Sequence, residues 1–407
     1  MLTNVIKPTH ACNLACTYCY NEDDRTKRMS INTLESTIKN TCEYARAKNE
    51  SGKVDFIWHG GEPMLVGLDF YKQAIKFQER YKKSLKFENV MQTNGTLIDS
   101  RWCDFFVEEK FHVSISIDGV KHVNDVTRIN RKGEGSFDNV FEAIQLVKKY
   151  QIPLGVCLVL NKINVPHLDE IYDFLRDEQL NFNVIPMTNS GDAVASIGEI
   201  GLTPKEYAEG WIKLYDRWFY DERHGSILCS DFANKSAGVL GGRAMDCIGA
   251  KNCSMNTVST DHNGYVYPCA TMSPDPEWVY GNINDSSIKE LMQSDNAQKA
   301  LQRKTDEHCL ECKWLNVCNG GCISRADKFF GTIDTRDYYC SGLYQIYEHI
   351  EGRLREVQDI DLECLPPKDF VDQRKAPTKR RIVSKNYERF SRDTTTTVLK
   401  FVDAASL

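Results

Sequence analysis

The chain has 407 residues, of which 41% are hydrophobic and 27% charged, and a formal charge of −6. That balance gives no charge-driven reason to bind nucleic acid or an anionic membrane, and no apolar run approaches a membrane span. The start, Met1-Leu2-Thr3-Asn4-Val5-Ile6-Lys7-Pro8, lacks the basic and apolar segments of a signal peptide. A cytoplasmic location is therefore expected. The sixteen cysteines then belong to a reducing compartment, where clustered cysteines bind metal more often than they form disulfides.

In chain order, β-branched runs at 4–7, 54–59, 88–92, 113–117, 154–160 and 182–186 predict six strands. Helical patterns lie between them. Ile31, Leu34, Ile38 and Cys42 share one face, with Asn32 and Glu35 read as a capping box. Phe137, Val140, Phe141, Ile144 and Val147 form another apolar face. Alternating strands and helices imply parallel pairing with right-handed crossovers. In such folds the chemistry sits at the carboxyl ends of the strands.

The motifs fall at those ends. After the first strand comes Cys12-Asn13-Leu14-Ala15-Cys16-Thr17-Tyr18-Cys19, a C-x3-C-x2-C loop. Three thiolates on one loop suit three irons of a [4Fe–4S] cube and leave the fourth iron open. Zinc with one further ligand, His10 for example, is the rival reading. The second strand runs into Gly60-Gly61-Glu62-Pro63. The glycines suit close backbone approach to a ligand, and Glu62 suits an ammonium group. The alternative is a plain strand-to-helix turn. Strands three and four end in Gln92-Thr93-Asn94-Gly95 and Ser114-Ile115-Ser116-Ile117-Asp118-Gly119, with Arg128 beyond. These are turn residues or ligand contacts. The solitary Cys42, Cys103, Cys157, Cys229 and Cys364 read as small buried apolar residues.

The cysteine loop, including Tyr18, and the GGEP run resemble the radical S-adenosylmethionine (SAM) enzymes. The resemblance implies that the six units close into a partial (β/α)6 barrel over about residues 1–225. It implies that Cys12, Cys16 and Cys19 hold the reactive cluster. Gly60, Gly61, Glu62 and Pro63 would bind the SAM amino group, with Tyr18, Asn94, Ser116 and Arg128 as further cofactor contacts.

The second half carries Cys247-x5-Cys253-x15-Cys269 and Cys309-x2-Cys312-x5-Cys318-x3-Cys322-x17-Cys340. Alone this fits either two zinc sites or two iron–sulfur clusters. The pattern resembles the SPASM domain, expected here over 226–345. The resemblance implies two auxiliary [4Fe–4S] clusters, one on Cys247, Cys253, Cys269 and Cys322, the other on Cys309, Cys312, Cys318 and Cys340. That makes three clusters in all, with SAM. Residues 264–269 read as a hairpin strand delivering Cys269, and Asn319-Gly320-Gly321 as a tight turn. The remaining segment, 346–407, is expected as a helix at 343–357, a break at Pro366-Pro367, and a tail. Between 374 and 392 that tail sets eight basic residues against one acid, Glu388, and a run at 394–402 follows. It reads as solvated, or else as a docking element.

The resemblance implies an enzyme that abstracts hydrogen from a peptide or protein through a 5′-deoxyadenosyl radical. An external one-electron reductant of flavodoxin or ferredoxin type would supply it. Two branches compete. The sulfatase-maturating branch makes formylglycine from Cys or Ser. It carries Asp after the cysteine equivalent to Cys269, where this chain has Ala270, and usually Gln where this chain has His59. Proton removal needs a placed base, so a crosslink (C–C or thioether) in a ribosomally made peptide is the expectation, with formylglycine formation the alternative. Asp261, His262 and Asp275 read as surface-loop residues, not as substitute bases. The barrel begins almost at Met1, so leader recognition is expected from the barrel, the SPASM region, the tail or a separate leader-binding protein. A non-catalytic iron–sulfur or zinc scaffold, or an electron carrier, is the reading from another class. It needs neither the open-iron loop nor GGEP.

Overall fold

The computed structural model describes residues 2–21, 27–48, 52–221, 227–242, 246–250 and 252–358. Cys364, the Pro366-Pro367 break, the basic stretch 374–392 and the run 394–402 lie outside the described residues. The chain divides into two compact units. The first comprises 1–157, 187–200 and 252–303, and the second 158–186, 201–251 and the chain from 304 onward.

All six predicted strands form: Leu2–Ile6 (β1), Lys53–Trp58 (β2), Lys86–Thr93 (β3), His112–Ser116 (β4), Leu154–Leu160 (β5) and Asn181–Pro186 (β6). Between them run Ile31–Lys48 (α1), Leu68–Glu79 (α2), Ser100–Glu108 (α3), Lys121–Thr127 (α4), Phe137–Lys149 (α5) and Leu168–Asp177 (α6). The start of α1 differs from the expectation. Ser30 is the cap, its Oγ accepting from Thr33 N at 3.0 Å. Asn32 already lies inside the helix, and Glu35 pairs instead with Arg80 on α2.

In the first unit the strand order is β5-β4-β3-β2-β1-β7-β8-β9, where β7 is Thr257–Thr260, β8 Tyr265–Tyr267 and β9 Gly281–Asn282. Strands β1 to β5 pair in parallel. The predicted hairpin exists as β7–β8, antiparallel. Its first strand also pairs in parallel with β1, so β1 is an interior strand and all five of its residues are buried. Such a strand must satisfy its polar groups internally. Asn4 does so by donating to Thr41 Oγ1 at 2.8 Å and accepting from Thr260 Oγ1 at 3.1 Å.

An aromatic cluster lies behind the end of β2. Trp58 meets Phe70 and Tyr71 edge-on, and Tyr71 meets Trp102 and Phe111. Burying each ring contributes roughly 1.5–3 kcal/mol. Tyr71 also donates to the Pro63 carbonyl at 2.7 Å, which ties the GGEP run to this core.

In the second unit β6 pairs briefly with the chain before Ser230–Val239, through Phe182 and Cys229. Helix Cys340–Gln358 packs on Pro204–Phe219 and Ser230–Val239. A Cβ at Gly342 would meet the Pro204 carbonyl at 2.2 Å, so this contact requires glycine.

Candidate active site

The cysteine loop follows β1 and is clasped on several sides within the first unit. Gly61 N donates to the Thr9 carbonyl at 3.0 Å and Glu62 N to the Ala11 carbonyl at 2.8 Å. Opposite, Ala15 N reaches the Ile129 carbonyl at 2.8 Å and Thr17 N the Thr127 carbonyl at 3.0 Å. Arg131 donates twice to the Cys12 carbonyl, at 3.1 and 2.8 Å. The short helix Ala193–Ile200 (α7) adds Ala193 N to the Cys19 carbonyl at 2.9 Å and Ser196 Oγ to the Thr17 carbonyl at 2.7 Å. Asn94 donates to Asn13 Oδ1 at 2.8 Å, and Asn13 in turn to Thr96 Oγ1 at 2.8 Å.

This arrangement changes the reading of the glycines. A Cβ at Gly60 would lie 2.3 Å from the Thr9 carbonyl oxygen, and one at Gly61 would lie 2.2 Å from that of Ala11. The close approach they permit is to the cysteine loop's own backbone. The GGEP run is therefore welded to the loop whatever ligand it holds.

Cys12, Cys16 and Cys19 are free thiols, all partly buried. Burial pushes Cys12 up to about 12 and Cys19 up to about 11, and each thiolate would raise its neighbours further. Three soft donors held this close, in a place that disfavours bare thiolates, fit a cationic iron–sulfur cube. His10 is buried and its ring packs edge-on against His262 at 4.9 Å between centroids.

Glu62 is fully buried. Its Oε1 accepts from Met64 N at 3.0 Å and Thr93 Oγ1 at 2.8 Å, and its Oε2 from Asn94 N at 2.8 Å. Pro63 begins the short helix that Glu62 caps. Burial pushes the Glu62 carboxyl up to about 6, against the pull of these donors. A carboxylate so fixed is short of one cation.

Tyr18 and Arg128 form a buried network with Asp118. Arg128 donates to Tyr18 Oη at 2.7 Å, and Tyr18 donates to Asp118. Burial keeps the Tyr18 phenol well above its usual range, hence neutral. Asn94 joins β3 to the loop. Ser116 accepts from Gln92 Nε2 at 3.1 Å, and Cys157 is hydrogen-bonded to Ser114 at 3.4 Å. Cys157 is thus buried in a polar row, while Cys42, Cys103 and Cys229 are buried as expected.

Beyond the loop, Lys7 is buried and donates to Asn21 Oδ1 at 2.7 Å and to the Ser273 carbonyl at 3.0 Å. His59 Nε2 lies 3.1 Å from Tyr20 Oη. Burial, then the Lys7 charge, push His59 down to about 3, so its imidazole is neutral. The expected surface-loop positions of Asp261 and His262 are corrected. Both are buried, because the turn joining β7 to β8 folds inward. Asp261 Oδ1 accepts from Asn263 N and Tyr265 N at 2.9 Å, and its Oδ2 from Tyr267 Oη at 3.2 Å. Those bonds spend it on the turn. Asp275 caps a short helix through Glu277 N at 3.0 Å. Ala270 is buried at 1% exposure.

In the second unit Cys309, Cys312, Cys318 and Cys340 line one cavity of about 440 Å³. Burial pushes Cys318 up to about 12, with Cys340 and Cys309 adding to it. Four thiols around a void of this size fit a fully ligated cube. The predicted turn forms with Asn319, Gly320 and Gly321 all at positive φ, at 50°, 82° and 75°. Asn319 Nδ2 donates to the Ile248 and Gly249 carbonyls at 3.3 and 3.2 Å, beside Cys247. Cys322 N donates to Asp337 at 2.8 Å. In the first unit Cys253 and Cys269 both lie within electrostatic reach of buried Tyr280, and Cys269 Sγ is 3.1 Å from Thr271 Oγ1.

Asn13, Lys7, Asn21, Arg131, Asp337 and Arg325 had no part in the sequence reading. Lys7 and Asn13 stand beside the cysteine loop, which was a signal. Arg131 and Asp337 are linked to their partners only by the fold.

Three thiols on a loop after the first of a series of parallel strands, with GGEP bonded to that loop, define a radical SAM centre. Residues 6–175 match the radical SAM superfamily, and 252–313 match SPASM, an iron–sulfur cluster-binding domain. The chain is 32% identical over 372 residues to the cysteine-type anaerobic sulfatase-maturating enzyme of Clostridium perfringens (strain ATCC 13124), covering 88% of this chain and 98% of that protein. It is 30% identical over 375 residues to the serine-type enzyme of Bacteroides thetaiotaomicron, covering 85% and 88%. Native anSMEcpe with bound AdoMet and Cp18Cys peptide superposes with a TM-score of 0.76 at 29% identity, covering 88% of this chain and 98% of that one. Streptococcus suis SuiB bound to precursor peptide SuiA shares the fold alone, with a TM-score of 0.62 at 16% identity over 83% and 75%.

The chain belongs to the radical SAM enzymes that carry a SPASM domain. It is an enzyme of the peptide-modifying kind, with [4Fe–4S] clusters and SAM as cofactors. The scaffold reading is thereby set aside. Among the described residues no helix is long and apolar enough to cross a membrane.

Proposed function

We propose that this enzyme oxidises a cysteine or serine side chain of a protein substrate to formylglycine. This is the alternative of the sequence reading, and it replaces the preference for crosslinking. The observation that carries it is similarity to both cysteine-type and serine-type sulfatase-maturating enzymes over 85–88% of the chain. The higher identity to the cysteine type favours a cysteine substrate. Cys12, Cys16 and Cys19 hold the reactive cluster. Cys309, Cys312, Cys318 and Cys340 hold one auxiliary cluster. By the sequence pattern, Cys247, Cys253, Cys269 and Cys322 hold the other.

When bound, the reactive cluster and SAM supply a 5′-deoxyadenosyl radical that takes hydrogen from an unactivated C–H bond. The chain places and shields that chemistry. Glu62 accepts a hydrogen bond from the SAM amino group, beside Gly60, Gly61 and Pro63. Arg128 is held by Tyr18 and, with Ser116, faces the rest of SAM. Asn94 holds the cysteine loop against β3. A flavodoxin- or ferredoxin-type reductant supplies the electron.

Glu62→Ala is expected to weaken SAM binding roughly tenfold to a hundredfold while iron stays bound, as for a lost charged hydrogen bond. Calorimetry on cluster-loaded protein reads it, and unchanged affinity would remove Glu62 from the SAM site. In the parent protein, affinity should fall as pH drops through about 6, where Glu62 takes up a proton. Stability without SAM runs the other way. The folded state holds that proton more tightly than the unfolded chain, so the stability contribution is lost as pH rises from 4.5 to about 6.

One observation favours the crosslinking reading. Buried Ala270 offers no proton acceptor, and neutral His59, hydrogen-bonded to Tyr20, stands where the relatives usually carry Gln. The crosslinking branch would use a ribosomally made peptide and, where a leader is present, a separate leader-binding protein. The two readings separate by product. Enzyme with SAM and reductant is given a cysteine-containing and a serine-containing sulfatase peptide, and aldehydes are trapped with a hydrazine. A trapped aldehyde on the cysteine peptide is expected. A crosslinked partner peptide with no aldehyde on either sulfatase peptide would overturn the proposal.

A further inference from the structure

Beside the cavity of Cys309, Cys312, Cys318 and Cys340 lies a buried ion pair that cluster ligation does not use. Arg325, on the helix Ile323–Phe330, donates from Nε to Asp337 Oδ1 at 2.8 Å and from a second nitrogen to Oδ2. The side chains are 13% and 1% exposed. Burying such a pair costs desolvation, and a well-packed apolar pair would serve packing as well. Its position needs another reason.

Asp337 is bonded to ligands from two cysteine sets. Its Oδ2 accepts from Cys322 N at 2.8 Å, and its carbonyl accepts from Cys340 N at 3.0 Å. It lines the four-cysteine cavity, where its charge acts on both Cys318 and Cys340. A Cβ at Gly321 would meet Asp337 Cβ at 2.3 Å, so the chain leaves no slack there. The guanidinium lies on another side. After Asp337, Cys322 is the group that its charge favours most. Tyr339 covers it at 5.7 Å. The pair is thus a fixed dipole, with its negative end toward the Cys318–Cys340 set and its positive end toward Cys322.

We propose that Arg325 and Asp337 are positioning residues that separate the reduction potentials of the two auxiliary clusters, raising that of the cluster taking Cys322 and lowering that of its neighbour. A positive charge near a cluster stabilises its reduced form, and a negative charge the oxidised form. An electron leaving the substrate would then rest on the cluster that takes Cys322. The inference rests on the reading that both cysteine sets hold clusters. That reading is tested first and separately, by the iron content of the parent protein.

The test is redox titration of the reconstituted holoenzyme, followed by electron paramagnetic resonance, with iron counted in each variant. Arg325→Gln alone leaves a buried carboxylate unpaired and can fail to fold. The Arg325→Gln/Asp337→Asn double variant removes both charges and keeps amide hydrogen bonds. It is expected to retain its iron and bring the two auxiliary potentials closer together. Arg325→Lys, which keeps the charge, is expected to retain the parental separation. An unchanged separation in an iron-replete double variant overturns the proposal. Equal iron loss in the lysine and double variants also overturns it, since the pair is then structural only.

Discussion

Replacing Cys12, Cys16 and Cys19 together with alanine is expected to abolish SAM cleavage and to remove about four irons, one cube's worth, leaving about eight. The fold should survive. The loop is held by backbone bonds from Gly61, Glu62, Ala15 and Thr17 and by Arg131 on the Cys12 carbonyl, none of which uses a thiol. Removing three buried thiols also removes groups that burial makes hard to ionise. Anaerobic reconstitution, iron counting and chromatography of 5′-deoxyadenosine check the prediction. 5′-Deoxyadenosine release by a variant that has lost those irons would refute the assignment of this loop to the reaction.

The second large effect is expected from Gly61→Val. Its Cβ would enter within 2.2 Å of the Ala11 carbonyl oxygen and 2.4 Å of that of His10. Backbone atoms cannot rotate away as a side-chain tip can. The variant must break the bonds from Gly61 N to Thr9 and from Glu62 N to Ala11, or push the cysteine loop outward. A cost of about 3 kcal/mol is expected, at the upper end for overpacking. The loop should also lose its cluster, because Cys12 adjoins the displaced carbonyl. Gly61→Ala should show a milder form of both defects. Thermal melting and iron content read the result, and parental values for both in Gly61→Val would show that the loop does not pack as described.

Much of this was legible in the sequence. Six strands were readable because buried β-branched runs between helical periods have few alternatives. The cysteine loop was readable because ligands three and four residues apart reach one metal centre without help from the rest of the chain. Less was legible about the helix start at Ser30, where two polar residues competed for the cap, and about Asp261 and His262. Those two look like ordinary turn residues until β7 is seen paired with β1, which turns the hairpin end inward. The preference for crosslinking rested on Ala270 alone. One missing carboxylate weighs less than similarity along most of the chain.

By itself, the sequence determined which residues are ligands and roughly what they hold. Spacing within a loop or turn sets local distances directly, as in Cys12–Cys19 and in the positive-φ run Asn319–Gly321. Only the tertiary structure decided what those loops lean on. Asn94 clasps Asn13 across 81 positions, Arg131 reaches Cys12 across 119, and Lys7 reaches Ser273 across 266. Such partners carry no local periodicity. They are selected when distant segments close together and each buried donor or carbonyl must find a mate. That is why the glycines of the GGEP run face the protein's own backbone, and why a buried Arg325–Asp337 pair stands beside cysteines whose spacing gave no hint of it.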